Sequence, residues 1–573
     1  MPPKPAFKFV KPRKTVELTL TDNRVISGPR YAAVGEFLKI LEDEGSPPIV
    51  GAIVNGELRE LTFPIKIDSN VQPVTMATSD GMLIYRRSLT FLLEAAFSSL
   101  YPGCSLTVDH SVSSGGYYCQ VEGRKPLSRD ELAKLEATMR DMVKQDIPFK
   151  RQEVPIEKAI EYFQKEKADD KVRLLRHRQK DYLTIYQLGN LHDYHHGYMV
   201  PSTGYIKWFA LDPIGEGFTL RFPHKNAPTQ LLPLPDYPKL LATFRQYGDW
   251  LDKLGISNVG SLNDAIVADR AQEVVLVSEA FHEQRIAEIA AYIAALSRHL
   301  RIILISGPSS SGKTTFSKRL SIQLLALGIS PFPLEMDNYF VDRELTPKDE
   351  TGAYDFESFD ALNREQLTKD LLLLIDGKKI QMPCYNFLTG KSEPGDEVQL
   401  NPGQMIIIEG IHGLNPAIIQ GIPPEQSFRI YVSALTQLNL DRHNRVSTTD
   451  TRLIRRIVRD ARERGYSAQM TIQRWESVRR GEKRNIFPYQ ENADVMFNSA
   501  LVYEVSALKS LAEPLLRQVP FGTPEYIEAK RLLSFLEWFL PINPNFVPDN
   551  SILREFVGIS ILSKFKLWHT STG

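Results

Sequence analysis

The chain has 573 residues, of which 42% are hydrophobic and 24% are charged, proportions that are ordinary for a globular protein. Its 69 basic residues balance its 69 acidic residues, so no overall field draws it to nucleic acid or to a membrane surface, and any polyanion site must be local. The length exceeds what one hydrophobic core can hold and predicts several domains.

The cysteines and the N-terminus indicate the compartment. Cys104, Cys119 and Cys384 form no C-x-x-C pair, which disfavours a disulfide framework and a cysteine-rich zinc site. The basic N-terminus is broken by prolines, and the chain has no apolar run of about 18 residues. We therefore predict a cytoplasmic protein that does not associate with a membrane.

The first three hundred residues read as two small mixed units and a linker. Residues 1–78 combine strand-like and helical patterns with Asn55-Gly56, a strong hairpin signal between apolar strands. Residues 79–225 begin with the helical "RSLTFLLEAAFSSLY" and continue through strands such as "GGYYCQVE" and "GEGFTLRF". We predict two α+β domains, followed by a helical bridge over 226–300, where apolar residues recur at helical spacing.

Residues 301–510 alternate short apolar strands with long helical patterns. The strands "RIILISG", "QMIIIEG" and "FRIYVSA" are apolar throughout, which is typical of a buried parallel sheet. The predicted fold class of this part is α/β, a parallel sheet wound with helices. Residues 511–573 read as a C-terminal helical extension.

A complete Walker A pattern follows the first of these strands and precedes a helical run. Its glycines let the backbone curl so that successive N–H groups point at phosphates. Lys313 is predicted to reach the β- and γ-phosphates, and the Thr314 hydroxyl to ligate Mg²⁺. A tight turn with an incidental lysine is the alternative. The predicted ATP-binding residues are Gly307, Pro308, Ser309, Ser310, Ser311, Gly312, Lys313, Thr314 and Thr315.

Several polar and aromatic residues could form the acceptor side. Asp337 follows an apolar run, where a carboxylate at a strand end can take a proton from a hydroxyl. Asp355 lies in "YDFESF", while Tyr385 and Phe387 lie in "PCYNF"; they offer a hydroxyl-binding carboxylate and aromatic faces. Glu409 ends a strand, where it could bind substrate or hold the water shell of a metal. Taken singly, Asp337, Asp355, Tyr385 and Phe387 would each more often be ordinary surface residues than site residues.

An arginine-rich run follows. Six arginines occur between Arg452 and Arg464, more than one face of a helix can hold as a simple solvated stripe. Phosphoryl transfer needs positive charge over the transferred group, which a movable arginine lid supplies. The alternative is an ion-paired surface helix that uses Asp450, Asp460 and Glu463.

These motifs, in this order, resemble the uridine kinase and phosphoribulokinase family over residues 301–510. The resemblance rests on Walker A, "DNYF", "YDF", "PCYNF", "IIIEGIHGL", "DTRLIRRIVRD" and "ADVMFNS". It implies that Asp337 is the catalytic base and that Asp355 binds ribose hydroxyls. It also implies a base pocket of Tyr385 and Phe387, and a lid and substrate clamp of Arg456, Arg459 and Arg464. Gly390, Tyr466 and Arg474 depart from the family pattern, which leaves the acceptor open.

The first 225 residues resemble the N-terminal part of threonyl-tRNA synthetase, a TGS-type domain followed by an editing-type domain. The resemblance rests on "GMLIYRRSLTFLLEAAF", "LSRDELAKLEATMRDMVKQDIPFKRQEV" and "HGYMVPSTGYIKWFAL". The editing-site positions are held by Arg87, Phe91, His195 and Met199, three of which cannot supply the same acid-base or ligand chemistry. His192, His195 and His196 lie on a predicted exposed loop, where such histidines are more often neither metal ligands nor acid-base groups.

The predicted function is an ATP- and Mg²⁺-dependent kinase that phosphorylates a hydroxyl of a uridine- or cytidine-like nucleoside, with catalysis by Asp337, Lys313 and Arg459. Thr314 and Glu409 are the predicted metal residues. The alternative is a nucleotide-gated RNA- or tRNA-binding protein. A third hypothesis is a residual deacylase of aminoacyl-tRNA that depends on His195. A homo-oligomer and RNA binding by the N-terminal half are left open.

Overall fold

The computed structural model describes residues 11–565 except 44, 113–114, 234–235, 350–351, 353 and 387. Helices and strands alternate through this part of the chain, and the strands form sheets of five, three, four, five and two strands. None of the described helices has both the length and the apolar character needed to span a bilayer. The predicted fold class, α/β with a parallel sheet and many helices, is confirmed.

The first sheet is built from five strands in the order β2-β1-β5-β3-β4. Val54 pairs with Glu57, and Asn55 and Gly56 have φ angles of 49° and 82°, so the predicted hairpin turn is confirmed. The helical pattern predicted within residues 1–78 forms, in its described residues, only one short α-helix, Val34–Leu38. The elements of this first unit are β1 Thr15–Leu20, β2 Val25–Pro29, α1 Val34–Leu38, β3 Ile49–Val54, β4 Glu57–Arg59 and β5 Ser69–Thr75.

The second unit has two antiparallel sheets, in the orders β11-β12-β7-β6 and β10-β9-β8, packed around a long buried helix, α2. Its helices are α2 Ser79–Leu100, α3 Arg129–Lys144, α4 Ile156–Lys165 and α5 Asp169–Arg176. Its strands are β6 Ser105–Val112, β7 Gly116–Glu122, β8 Lys150–Pro155, β9 Tyr182–Leu188, β10 Leu191–Asp193, β11 Ala210–Ile214 and β12 Gly217–Arg221.

Three helices then lead to the phosphate loop: α6 Pro238–Leu254, α7 Val259–Val267 and α8 Ala271–Leu296. The next part is a five-stranded parallel sheet in the order β14-β17-β13-β18-β19, with a separate hairpin of β15 and β16. Its strands are β13 Ile302–Ser306, β14 Pro331–Glu335, β15 Ile380–Asn386, β16 Lys391–Val398, β17 Met405–Glu409, β18 Ser427–Ser433 and β19 Val495–Asn498. Its helices are α9 Lys313–Ala326, α10 Arg364–Ile375, α11 Thr448–Arg464, α12 Ala468–Asn485 and α13 Glu504–Leu516.

Two further helices, α14 Pro524–Leu536 and α15 Arg554–Val557, follow α13. One hydrophobic core joins α5, α7 and α8 to α11, α13 and α14, through buried residues such as Leu174, Val274, Ile457 and Leu532. The predicted domain boundary after residue 510 falls inside α13. This core includes residues from four of the predicted domains, so it does not separate them. The division into domains stays a prediction.

A segment of the kinase-like part reaches into the second unit. Residues 435–447, here called the docking loop, lie between β18 and α11. The Arg442 carbonyl accepts from the Val108 amide at 2.8 Å, and the Arg442 guanidinium donates to both carboxylate oxygens of Asp170. The Tyr194 hydroxyl donates to Asp441. The helix that begins at Thr448 is therefore anchored to the N-terminal half of the molecule.

Candidate functional site

The Walker A residues form a tight loop at the carboxyl end of the central strand. β13 ends at Ser306 and α9 begins at Lys313, and between them Ser310 and Gly312 adopt φ angles of 58° and 85°. A Cβ added at Gly307 would lie 1.9 Å from the carbonyl oxygen of Val432, so this position requires glycine. The loop has the curled backbone and the following helix N-terminus that bind phosphate groups.

The two predicted metal residues touch each other beside the loop lysine. The Thr314 hydroxyl donates to Glu409 Oε2 at 3.2 Å, and Lys313 Nζ lies 4.0 Å from Glu409 Oε1. Lys313 Nζ also lies 3.4 Å from the Pro308 carbonyl oxygen. The hydroxyl, the carboxylate and the ammonium thus share one small volume at the edge of the sheet.

Asp337 reaches the same volume from the neighbouring strand. It lies in a 3₁₀ turn, Met336–Tyr339, directly after β14, whose Glu335 is in register with Glu409 of β17. Its side chain is accessible to solvent in a cleft, yet desolvation by the surrounding protein raises the pKa of its carboxyl. The charge of Lys313 opposes that rise in pKa, which places the predicted base within electrostatic reach of the loop lysine.

Two further carboxylates lie in this cleft with raised pKa values. Burial raises the pKa of Glu409 to about 7, with contributions from Asp337 and Glu555 against the opposing charge of Lys313. Burial also raises the pKa of Glu357 to about 7, and here Glu482 adds to the rise. Hydroxyl and carboxylate oxygens are the ligands that Mg²⁺ prefers, and the crowding of negative charge favours a bound cation, so Thr314 and Glu409 fit the predicted metal role.

The predicted acceptor-side residues lie on different elements: Asp355 lies on a loop, whereas Tyr385 lies in strand β15 and is buried. Asn338, next to Asp337, accepts from the Tyr385 amide at 3.4 Å, which brings Tyr385 to the turn that carries the base. Asp355 accepts from the Glu357 amide at 3.2 Å and lines a small pocket with Arg480. Phe387 falls outside the described residues, so its predicted role stays a prediction.

The predicted lid helix, α11, holds the phosphate loop through its two innermost arginines. Arg452 is ion-paired with Glu482, and its Nε donates to the Ser309 carbonyl at 2.9 Å. Arg455 is ion-paired with Glu504 and lies 3.4 Å from the Ser310 carbonyl. Both guanidinium groups are fully buried. Arg452 and Arg455 therefore cannot move over the transferred group, and the prediction of a movable arginine lid is wrong for these two residues.

The other predicted lid arginines gather on one carboxylate. Arg456, Arg459 and Arg464 each place a guanidinium nitrogen 3.3 Å from the buried side chain of Asp460. Arg456 also donates to the Ser309 hydroxyl at 2.9 Å. Three cations on one anion leave positive charge beside the loop, which is what a transferred phosphoryl group needs.

Carboxylates of the chain itself hydrogen-bond to the loop. The Ser309 amide donates to Glu482 Oε1 at 3.1 Å, while the Thr315 amide and hydroxyl donate to Glu555 Oε2 at 3.3 and 3.0 Å. Glu555 belongs to α15, and Ile552, three residues before it, would contact a Cβ placed at Gly312 at 2.4 Å. The C-terminal segment therefore lies directly on the phosphate loop.

Sequence reasoning missed three carboxylates of this site, namely Glu357, Glu482 and Glu555. It named Asp460 as an ion-pair partner of the arginines, as the structure has it. Glu357 lies two residues beyond Asp355 in the same motif, so the sequence carried a signal for it. Glu482 and Glu555 lie in a charged helix and in the C-terminal extension, where no motif distinguishes them.

Two of the three departures from the family pattern contact each other. The Arg474 guanidinium lies over the Tyr466 ring, 4.7 Å from its centroid. A Cβ at Gly390 would lie 2.8 Å from the guanidinium carbon of Arg343, so Arg343 occupies the space that a side chain at residue 390 would need.

The four editing-type positions of the N-terminal half also lie together. The Phe91 and His195 rings are 5.0 Å apart, and Met199 is buried nearby. Arg87 donates to the Tyr198 carbonyl at 2.6 Å. The predicted exposed histidine loop is wrong for His195, which is buried because it packs between α2 and the docking loop.

A buried ion network fills this second site. Glu94, Asp193 and His195 bring ligand atoms within 4.8 Å of one another, a spacing that could hold a metal ion. However, Lys171 donates to Asp193, and His443 of the docking loop lies 2.9 Å from Asp193 and 3.2 Å from Glu94. Burial lowers the pKa of His443, but the negative charge of Glu94 is the largest of the effects that raise it, and the pKa rises to about 9. Two internal cations thus balance the two carboxylates.

Comparisons with known proteins give different matches for the two halves of the chain. The model of the family described as "Phosphoribulokinase / Uridine kinase family" matches residues 302–506. Among solved structures, a possible uridine kinase from Bacillus stearothermophilus shares 22% identity with a TM-score of 0.27, covering 37% of this chain and 97% of that one. D-glycerate 3-kinase from Cryptococcus neoformans shares 14% identity with a TM-score of 0.19, covering 48% and 88%.

The N-terminal half is similar to other proteins. Threonine–tRNA ligase from Desulforamulus reducens is 30% identical over 225 residues, which are 39% of this chain and 35% of that protein. The enzyme of the same name from Lawsonia intracellularis is 31% identical over 172 residues, 30% of this chain and 27% of that protein. The chain thus spans about a third of the length of these relatives. The resemblance predicted for each half is confirmed.

Proposed function

We propose that the chain is an ATP- and Mg²⁺-dependent kinase that transfers the γ-phosphate of ATP to a hydroxyl of a nucleoside-like small molecule. One observation carries the proposal. Lys313, Asp337 and Glu409 meet at the carboxyl edge of the parallel sheet, beside a fully formed phosphate loop. That edge is where open α/β sheets bind their ligands.

The residues of the cleft account for the steps of transfer. The acceptor oxygen forms a bond to the γ-phosphorus, the bond from that phosphorus to the leaving ADP oxygen breaks, and the acceptor proton goes to Asp337. Lys313, with Arg456, Arg459 and Arg464, stabilises the negative charge of the transferred group. Thr314 and Glu409 would hold Mg²⁺, which neutralises phosphate charge when it is bound.

The acceptor pocket is proposed to lie between Asp355 and the hairpin of β15 and β16, to which Tyr385 belongs. Phe387 is proposed as a further aromatic group of the pocket on the basis of the sequence alone. A carboxylate beside aromatic faces suits a ribose-like hydroxyl pair attached to a flat ring. Arg343 beside Gly390 supports an acceptor related to, but different from, a pyrimidine nucleoside. Small polyols therefore belong among the compounds to be tested.

The N-terminal half is proposed to be an accessory module of this kinase. The docking loop of the kinase-like part is anchored to this half and leads directly into α11, the helix that holds the phosphate loop. RNA is a second candidate partner, supported by the similarity to threonine–tRNA ligases. We propose a cytoplasmic setting for both roles, because Cys104, Cys119 and Cys384 are unbridged.

The direct test is to incubate the full chain with ATP labelled in the γ-phosphate, Mg²⁺ and a panel of nucleosides and polyols, and to identify products by mass. We expect one acceptor class to gain a phosphoryl group, and Lys313→Ala to abolish that product. If the chain yields no phosphorylated product but binds tRNA with a steep salt dependence, the RNA-binding alternative replaces the kinase.

A further inference from the structure

A cavity of about 300 Å³ lies between the N-terminal half and the kinase-like part. Its walls come from α2, the docking loop, α12 and α14, which are far apart in sequence. Its lining does not include Asp337, Asp355 or Tyr385, so it is separate from the proposed acceptor pocket. Nothing in the proposed phosphoryl transfer uses it.

The cavity is lined by cations from each of these elements. Arg86 lies on α2, Arg445 on the docking loop, and Arg479 and Lys483 on α12. The guanidinium of Arg86 lies over the Phe222 ring, and that of Arg445 over the Tyr117 ring. Aromatic rings thus hold two of the cations in place without neutralising them.

None of these four cations forms an ion pair with a carboxylate within the described part of the chain, although the charges of Glu482, Glu476 and Asp450 act on Arg479 and that of Glu476 also acts on Lys483. The Nε atoms of Arg86 and Arg445 are buried and lack a hydrogen-bond partner there. Arg479 donates to the neutral hydroxyl of Thr449. Burial and the nearby cations Arg479, Lys225 and Arg86 lower the pKa of Lys483 to about 8. Like charges are thus held together at a cost in free energy.

Other arginines on the same walls show the contrast. Arg452 is paired with Glu482, and Arg531 is paired with Asp450 and Glu528. The chain therefore supplies carboxylates to some cations of this cavity and leaves others without them. Half-buried cations that lack an ion pair and line a cavity are an arrangement that binds an anion, and arginine with lysine is the combination that binds phosphate.

We propose that this cavity binds a small ligand that carries a phosphate or diphosphate group, held by Arg86, Arg445, Arg479 and Lys483. Its volume suits a compound of about nucleotide size. The cavity is enclosed by α2, the docking loop, α12 and α14, and this enclosure favours such a ligand over an extended nucleic-acid backbone. The site is independent of the proposed kinase activity, although Lys483 is adjacent in sequence to Glu482, which bonds the phosphate loop.

The test uses the full chain and labelled pyrophosphate as the probe. Equilibrium dialysis should detect two sites in the unmodified chain, the cavity and the phosphate loop. Lys483→Gln should weaken one of them by about tenfold or more, because a desolvated charged hydrogen bond is lost. Lys313→Ala should weaken the other. Arg474→Gln, a change of an exposed cation on the same helix, should leave both sites intact.

Crystals soaked in tungstate provide a second measurement, because the anion should give an anomalous peak among the four cations. The proposal is overturned if Lys483→Gln and Arg86→Gln, folded with unchanged melting temperature, bind pyrophosphate like the unmodified chain. It is also overturned if the cavity takes no small anion while salt-sensitive RNA binding is lost on Lys483→Gln.

Discussion

Two clusters of carboxylates lie in this molecule, and they differ in what balances their charge. In the N-terminal cluster, the buried Glu94 and Asp193 are paired with Lys171 and with His443 of the docking loop. In the kinase-like cluster, Asp337, Glu357 and Glu409 share Lys313, and the other cations that act on them in the described part of the chain are Arg464, on Asp337, and Arg456, on Glu357. The first cluster is closed by the chain itself, whereas the second has room for a proton or a ligand cation.

The pKa values express this difference. The pKa of His443 is raised to about 9, so the N-terminal cluster keeps a proton that it uses as an internal counter-ion. The pKa values of Glu357 and Glu409 are raised to about 7, so the kinase-like cluster holds carboxylates that resist ionisation in the absence of a cation. A site whose charge is balanced internally serves structure, and one whose charge is unbalanced can serve chemistry.

The sharpest test of the comparison is Asp337→Asn. We expect kcat to fall by about 10²- to 10⁴-fold, because an amide cannot accept the acceptor proton. The KM for ATP should change little, since the proposed role of Asp337 is to bind the acceptor hydroxyl and not the nucleotide. Steady-state kinetics with the acceptor found by mass measures both quantities.

Glu335→Gln is the matched control for that change. Glu335 is an exposed carboxylate at the end of the same strand, two residues away, and no step of the proposed transfer uses it. The loss of kcat in Glu335→Gln should be smaller than the loss in Asp337→Asn by about two orders of magnitude. Equal losses in the two variants would mean that general electrostatics, rather than proton transfer to Asp337, limits turnover.

Lys171→Met tests the closed cluster. Removing one partner of a buried pair leaves an uncompensated charge, so we expect the free energy of unfolding to fall by about 3–5 kcal/mol. Urea titration of the full chain measures this loss. Lys165→Met changes an exposed lysine on the neighbouring helix and should cost about 0.5 kcal/mol or less. A stable Lys171→Met chain that now binds a divalent metal would show a ligand site instead of a structural one.

The kinase-like site could be predicted from sequence because its groups sit at the ends of strands. Lys313, Asp337 and Glu409 each follow a short apolar run, and parallel strands bring such positions to one edge of a sheet. Asp460 and Glu482 could not be assigned in the same way. Their roles depend on how α11 and α12 pack, which the charge pattern of a helix does not determine.

The closure of the N-terminal site could not be predicted for a related reason. The sequence showed that three editing-type positions had changed, but along the chain His443 lies 250 residues from Asp193 and 349 residues from Glu94. No local pattern links such distant residues. The docking loop reads only as an irregular segment between a strand and a helix.

The pH dependence of stability tests the charge balance of the closed cluster. The folded pKa of His443, about 9, exceeds its ordinary value of 6.5, so protonation stabilises the folded chain. This contribution is fully present below pH 6.5, declines as pH rises and is lost above about pH 9. Its size is about 3 kcal/mol. Urea midpoints across that range should fall for the unmodified chain and fall less for His443→Gln; parallel curves would contradict the assignment.

Glu555→Gln tests whether the C-terminal segment competes with nucleotide at the open site. The Glu555 carboxylate accepts from the Thr315 amide in the first turn of α9, where the helix N-terminus favours an anion. Glutamine keeps an oxygen acceptor there but removes the charge that opposes a phosphate group. We expect the KM for ATP to fall about fivefold, the equivalent of ~1 kcal/mol, with kcat nearly unchanged.

The matched control for this change is Asp549→Asn, which removes an exposed carboxylate from the same C-terminal segment, 3.6 Å from Arg554 and away from the loop. It should leave the KM for ATP unaltered. A rise in KM for Glu555→Gln would mean that the carboxylate orders the loop for nucleotide through Thr315 and Arg459. A fall confined to Glu555→Gln would mean that the open cluster, unlike the closed one, has a counter-charge that the ligand must displace.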